Sequence, residues 1–186
     1  DLPRVMFTDF AAMLDGLARM RMGERPFSAF FVGGGSYSIP RAWADRGTGP
    51  LTVAEIDPEV TRIAARDFWF DPTTATVLTE DARRALLIRP KARYDVIVGD
   101  AFTDIAVPSH LITQEFFELV RARLNPGGVF VMNVIDFEDR LEALASVHAT
   151  LATVFPNVEI WTEQRKPDPG QRMVFVLVAS ATQSPV

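Results

Sequence analysis

The chain of 186 residues contains no cysteine. Disulfides, thiolate nucleophiles and cysteine-ligated zinc are therefore excluded from its chemistry. It has only two histidines, His110 and His148, too widely separated for a histidine cluster, so no metal site is expected. No apolar run approaches the ~20 residues of a membrane-crossing helix, and no membrane contact is expected from this segment. An excess of positive charge is lacking as well. Against 24 acidic side chains stand 19 Lys and Arg, for a net charge of −5. A nucleic-acid partner, which calls for a basic face, is not expected. The densest basic cluster, Arg83, Arg84, Arg89 and Arg93, reads as a solvated helix face. An acidic balance is compatible with a cationic substrate. There is no repeat, no low-complexity tract and no visible signal peptide, so a cytoplasmic location is the default expectation. The first residue is Asp1 rather than methionine, as in a trimmed chain or a piece of a longer polypeptide.

What is present is ordinary for a globular protein: 48% hydrophobic and 23% charged residues. The length suits one domain with a sizeable core. Residues 1–180 are expected to form a single domain, with 1–25 as a helical lead-in and 181–186 as a loose tail.

One stretch carries more information than the rest. The apolar run Phe30-Phe31-Val32 ends in Gly33-Gly34-Gly35-Ser36, and the next apolar run closes on Glu55-Ile56-Asp57. That interval, roughly 20 residues, is the spacing of a nucleotide-binding βαβ unit. Glycines after a first strand let the backbone approach a ligand that a Cβ would block. A carboxylate after the second strand can accept hydrogen bonds from both hydroxyls of a ribose. An adenosine-containing cofactor follows.

Periodicity places helices over residues 8–22, 36–45, 57–70, 82–88, 113–124 and 138–155. Strands are expected over 27–32, 51–56, 75–79, 94–99, 129–135, 158–162 and 173–179, with a turn at Asn125-Pro126-Gly127-Gly128. Alternation of strand and helix implies a doubly wound parallel sheet. The last two strands lack a helix between them and must be antiparallel neighbours. The expected fold class is therefore α/β: a class I methyltransferase-like Rossmann fold, its seven-stranded, mostly parallel sheet ending in an antiparallel strand. The aromatic run Phe68, Trp69, Phe70 is expected in the core rather than against a partner.

Ligands in such sheets bind beyond the carboxyl ends of the strands. There the sequence places Gly33 to Ser36, then Glu55 and Asp57, then Glu80 and Asp81, then Asp100, Thr103 and Asp104. Some have plainer readings: Asp57 and Asp81 as helix caps, Asp104 as a solvated loop residue. Glu55, which ends an apolar strand, has the weakest alternative. A nicotinamide-dinucleotide fingerprint is degraded here, because Ser38 occupies its third glycine position.

The stretches FFVGGGSYSIPRAW, LTVAEIDPEVTRIAAR, VLTEDAR and YDVIVGDAFTDIAVPSHLITQEFFELVRARLNPGGVFVMNV together resemble the spermidine synthase (polyamine aminopropyltransferase) family, in its divergent spermidine synthase-like branch. The resemblance covers roughly residues 27–134. It implies transfer of an aminopropyl group from decarboxylated S-adenosylmethionine to an amine such as putrescine. By the same resemblance Gly33, Gly34 and Gly35 line the cofactor, Glu55 holds the ribose, and Asp81 with Ala82 contacts the adenine. Asp100 corresponds to the catalytic aspartate, assisted from the Tyr94 or His110 neighbourhood, and the second acid falls near Thr103 or Asp104. The expected site is thus Asp100 and Asp104 for catalysis, with Gly33, Gly34, Gly35, Ser36, Glu55, Asp57, Asp81 and Ala82 for the cofactor. Two departures stand out. Ser36 occupies the position where the family carries an amine-binding aspartate, and residues 1–25 read as helical where the family has a β-stranded segment. Rival readings are a methyltransferase using intact S-adenosylmethionine and an adenosyl-binding module without catalysis. The partner expected is a small-molecule amine, and the oligomer considered is a homodimer.

Overall fold

The computed structural model describes residues 6, 8–101, 107–163 and 167–185. Its strands are β1 (Ala29–Val32), β2 (Leu51–Ala54), β3 (Thr76–Leu78), β4 (Tyr94–Gly99), β5 (Leu124–Phe137), β6 (Asn157–Trp161) and β7 (Arg172–Ser180). The helices are α1 (Asp9–Met22), α2 (Ser38–Asp45), α3 (Pro58–Asp67), α4 (Ala82–Leu87), α5 (Gln114–Arg123) and α6 (Glu142–Ala152). One seven-stranded sheet runs β3-β2-β1-β4-β5-β7-β6. Strands β1 to β5 are parallel neighbours, and β7 lies antiparallel between β5 and β6. This is the expected class I methyltransferase-like arrangement.

Side-chain alternation builds the two layers. In β1, Phe30 and Val32 enter one core while Ala29 and Phe31 enter the other. In β5, Phe130, Met132 and Val134 face the first, and Val129 and Val131 the second. The first core is closed by α4, α5 and α6, the second by α1, α2 and α3. Central parallel strands covered on both sides need the continuous apolar runs seen in the sequence. Helix α1 belongs to this packing: Leu14, Leu17 and Ala18 are buried. Its Asp15 accepts hydrogen bonds from Trp43 Nε1 at 2.6 Å and Arg46 at 2.8 Å, joining α1 to α2.

Helix starts follow local chemistry. Thr8, Asp57, Asp81 and Thr113 each accept a backbone N–H of the first turn they precede. Helix α6 departs from this rule and from expectation. It begins at Glu142 rather than at 138, because Leu141 adopts a left-handed conformation (φ 51°). Its cap comes from another element: Asp136, near the end of β5, accepts from Leu144 N at 2.9 Å.

Three further expectations are corrected. The turn at Asn125-Pro126-Gly127-Gly128 is an excursion within β5, whose pairing with β4 jumps from Tyr94↔Leu124 to Val96↔Val129. Proline supplies no N–H to a ladder, so the strand bulges there. The aromatic run divides. Phe70 is buried against the Tyr37 ring, 4.2 Å between centroids, whereas Trp69 is 61% exposed. The helix stops at Asp67, and Trp69, at φ 57°, turns the chain so that only Phe70 points inward. Residues 181–185 are not a loose tail. Arg21 donates to Thr182 O at 2.9 Å, and Ser184 N donates to Glu159 at 2.6 Å. Among the described residues no helix is long and apolar enough to cross a membrane.

Candidate active site

The sheet order reverses between β1 and β4, and a cavity of about 580 Å³ opens at the carboxyl ends of the strands there. Val32 at the end of β1, Gly33 after it, Glu55 after β2, Asp81 and Ala82 at the start of α4, and Asp100 after β4 all line it. The volume falls within the ~300–1,000 Å³ of small-molecule sites. Gly35 and Ser36 complete the glycine side; Phe10 of α1 and Ile56 form apolar walls.

The glycine turn is held by its neighbours. Gly33 N donates to Ala54 O at 2.9 Å, and Asp100 N donates to Val32 O at 3.0 Å. Gly33 sits at φ 88°, and a Cβ there would lie 2.9 Å from Asp100 O. A Cβ on Gly34 would lie 2.1 Å from the ring of Tyr37. Both positions therefore exclude a side chain for steric reasons. Tyr37 is fully buried in a left-handed conformation (φ 54°), and its hydroxyl bonds Thr61 Oγ1 at 2.6 Å. Burial raises its phenol pKa, which the Thr61 hydrogen bond partly offsets.

Glu55 is buried, and each of its oxygens accepts a backbone N–H: Gly34 on Oε2 at 2.9 Å, Asp57 on Oε1 at 3.0 Å. These bonds lock the carboxylate across the β1–β2 gap. Each oxygen retains a lone pair for a ligand hydroxyl. Asp57 itself lies outside the cavity lining. Its Oδ1 caps α3 by accepting from Glu59 N at 2.8 Å.

Asp81 uses both oxygens as well. Oδ1 caps α4 through Arg84 N, and Oδ2 bonds His110 Nε2 at 2.8 Å. Arg83 holds the His110 carbonyl at 3.0 Å, fixing the turn over Ser109–Leu111. Glu80 is directed elsewhere, to Arg84 and Arg89.

Asp100 is the chemically distinctive group. Burial pushes its carboxyl up to about 7, and a hydrogen bond from the Asn133 side chain opposes the rise. An acid poised there is partly ionised at neutral pH and can exchange a proton with a bound group. Tyr94 does not assist it. It begins β4, about 20 Å away at ~3.3 Å per residue, and packs on Phe30. His110 faces the same cavity but is bonded to Asp81. Asp104 and Thr103 lie outside the described residues. Sequence reading passed over Tyr37, Ile56, Phe10 and Asn133. Asn133 carried a signal, as a polar residue in the apolar run VFVMNVI level with Asp100. Among the described residues, no three His, Asp or Glu side chains converge as a metal site.

Similarity to known proteins agrees with this geometry. The chain is 38% identical over 108 residues to a probable polyamine aminopropyl transferase of Bifidobacterium longum, covering 58% of this chain and 24% of that protein. It is 32% identical over 170 residues to a polyamine aminopropyltransferase of Vibrio vulnificus, covering 88% of this chain and 54% of that protein. It thus spans about half, or less, of the length of these relatives. A crystal structure of a probable spermidine synthase from Corynebacterium glutamicum superposes with a TM-score of 0.85 at 25% identity, over 97% of this chain and 67% of the other. The spermine/spermidine synthase domain matches residues 52–183, a span holding Glu55, Asp81 and Asp100, and the chain belongs to that family.

Proposed function

We propose that this chain is the adenosyl-binding catalytic part of an aminopropyltransferase that acts on a small polyamine. The observation that carries the reading is Asp100, an acid held near neutrality in the same cavity as the ribose-ready carboxylate Glu55. Decarboxylated S-adenosylmethionine supplies a carbon activated by its sulfonium, and the amine displaces the neutral thioether methylthioadenosine from it. The residues present fit such a nucleoside. Glu55 has acceptor capacity for two ribose hydroxyls, the turn of Gly33, Gly34 and Gly35 leaves room for close approach, and Ile56 offers an apolar face to the base. Asp81 and Ala82 border the base end of the cavity, where the free lone pairs of Asp81 can accept an exocyclic amine. Asp100 holds the attacking ammonium and takes its proton, leaving a neutral amine. Holding both reactants in one cavity supplies much of the remaining acceleration. Asp104 is the proposed second acid of the amine site.

A second reading is favoured by Ser36, which lines the cavity where the family's pattern has an aspartate. A neutral side chain there would not repel the carboxylate of intact S-adenosylmethionine, so methyl transfer is the alternative. Incubation with each sulfonium and a panel of amines, with chromatography of the products, decides between them. Methylthioadenosine formation supports aminopropyl transfer; S-adenosylhomocysteine formation replaces it with methyl transfer. Calorimetric titration with the same two products tests the site without turnover. Binding of neither overturns both readings.

A further inference from the structure

Behind the cavity's acid end lies a polar atom that the fold leaves without a partner. Asn133 is 1% exposed, and its Oδ1 is a buried acceptor with no hydrogen-bond donor. Unpaired buried acceptors are rare in folded proteins, because each loses its hydration without a compensating bond. Its amide hydrogen bonds the Asp100 carboxyl. The pairing follows from the sheet: Gly99 is level with Met132, so the next residue on each strand brings Asp100 beside Asn133. On the other side Asn133 is level with Val176 of β7, which offers it no polar side chain.

An amide is suited to such a place because its two ends have opposite hydrogen-bonding character. Toward an ionised Asp100 it donates an N–H. Toward a protonated Asp100 the same amide, turned end for end, presents its oxygen to the acid's O–H. We infer that Asn133 is the positioning residue of Asp100, a reversible partner whose amide holds the carboxyl toward the cavity in both protonation states. The unpartnered Oδ1 is the acceptor held in reserve for the protonated state. The acid then changes its charge without losing its anchor, as a group that takes up and releases a proton in each turnover requires. The inference rests on the proposed role of Asp100 for its use in catalysis, but its geometry stands without that role. The other ionisable groups facing the cavity are Glu55 after β2, Asp81 at the cap of α4 and His110 in the turn before α5, together with the hydroxyl of Ser36. Burial and Asn133 alone account for the position of the Asp100 titration.

The test reads protonation directly on the chain without cofactor, so failed turnover and a failed Asn133 role stay distinguishable. The Asp100 carboxyl carbon, assigned by its loss in D100N, is followed by NMR from pH 4 to 9 together with the Asn133 side-chain amide. In the unsubstituted protein the amide signals are expected to shift with the same midpoint as Asp100. In N133L, and in N133V should the leucine variant fail to fold, the Asp100 midpoint is expected to rise by about one pH unit, a tenfold gain in proton affinity. The sign follows because the lost hydrogen bond favours the ionised form. A wild-type amide that ignores the Asp100 titration, or an Asp100 midpoint unmoved in whichever variant folds, overturns the inference. In an active enzyme the acid limb of kcat/KM is expected to move up with it, while cofactor KM stays within about twofold.

Discussion

The two sides of the cavity are built on different terms. On the β1–β2 side the buried polar side chains are already engaged. Glu55 accepts two backbone N–H groups, and Tyr37 is bonded to Thr61 and stacked on Phe70. On the β4–β5 side Asp100 is an acid displaced to about 7, beside an amide with an unpartnered oxygen. The first side is a finished mould whose hydrogen bonds fix its own side chains. The second holds unsatisfied polarity, which proton exchange can use and a purely structural site would have eliminated. The fold separates the two sides by placing the strand-order reversal between them.

Substitutions can break that contrast. The largest effect is expected for Asp100→Asn. Turnover, followed as methylthioadenosine release, should fall at least a hundredfold, while the calorimetric affinity for methylthioadenosine stays within about twofold. Near-normal turnover would remove Asp100 from its assigned role. The same variant has a stability signature. A raised carboxyl pKa means that the folded chain keeps a proton the unfolded chain has released. Wild-type stability should therefore fall as pH rises through the window from about 4 to about 7. Asparagine has no such proton, so D100N should match wild type below pH ~4 and exceed it above pH ~7, by at most about 4 kcal/mol. Urea unfolding at pH 4 and pH 8 checks this, and a variant less stable at pH 8 would contradict it.

Glu55→Gln addresses the finished side. Its new NH2 must face one of two backbone N–H groups, so one bond is lost at about 1–3 kcal/mol. Nucleoside affinity should weaken roughly tenfold with kcat at saturation largely retained, and a selective loss of kcat would merge the two sides. His110→Ala, at the rim, should have the smallest effect. It frees Asp81 Oδ2 but leaves the cap on α4 intact, so affinity should change by less than about fivefold. A change comparable to that of Glu55→Gln would make His110 a direct ligand contact.

Much of this site can be read from residue order because it depends on short-range rules. The glycine turn, Glu55 at the end of an apolar strand, and Asp57 and Asp81 as caps each need only a few adjacent residues to be recognised. What escaped was non-local. Asp136 caps a helix that begins six residues after it, Arg21 fastens the chain's far end, and Tyr94 lies at the wrong end of its strand to help Asp100. The split of Phe68, Trp69 and Phe70 depended on a single left-handed residue that periodicity does not encode.

The amino-acid order by itself determined the alternation of strands and helices, the antiparallel closing pair and the residue types at each strand end, because these follow from hydrophobic period and local capping chemistry. Only the tertiary structure decided how each of those carboxylates is partnered. Asp57 and Glu80 were consumed by a cap and by arginines, Asp81 was shared with His110, and Asp100 was left half-buried beside Asn133. Burial and partner geometry set a side chain's charge, and both come from strands that are neighbours in the sheet but more than thirty residues apart in the chain.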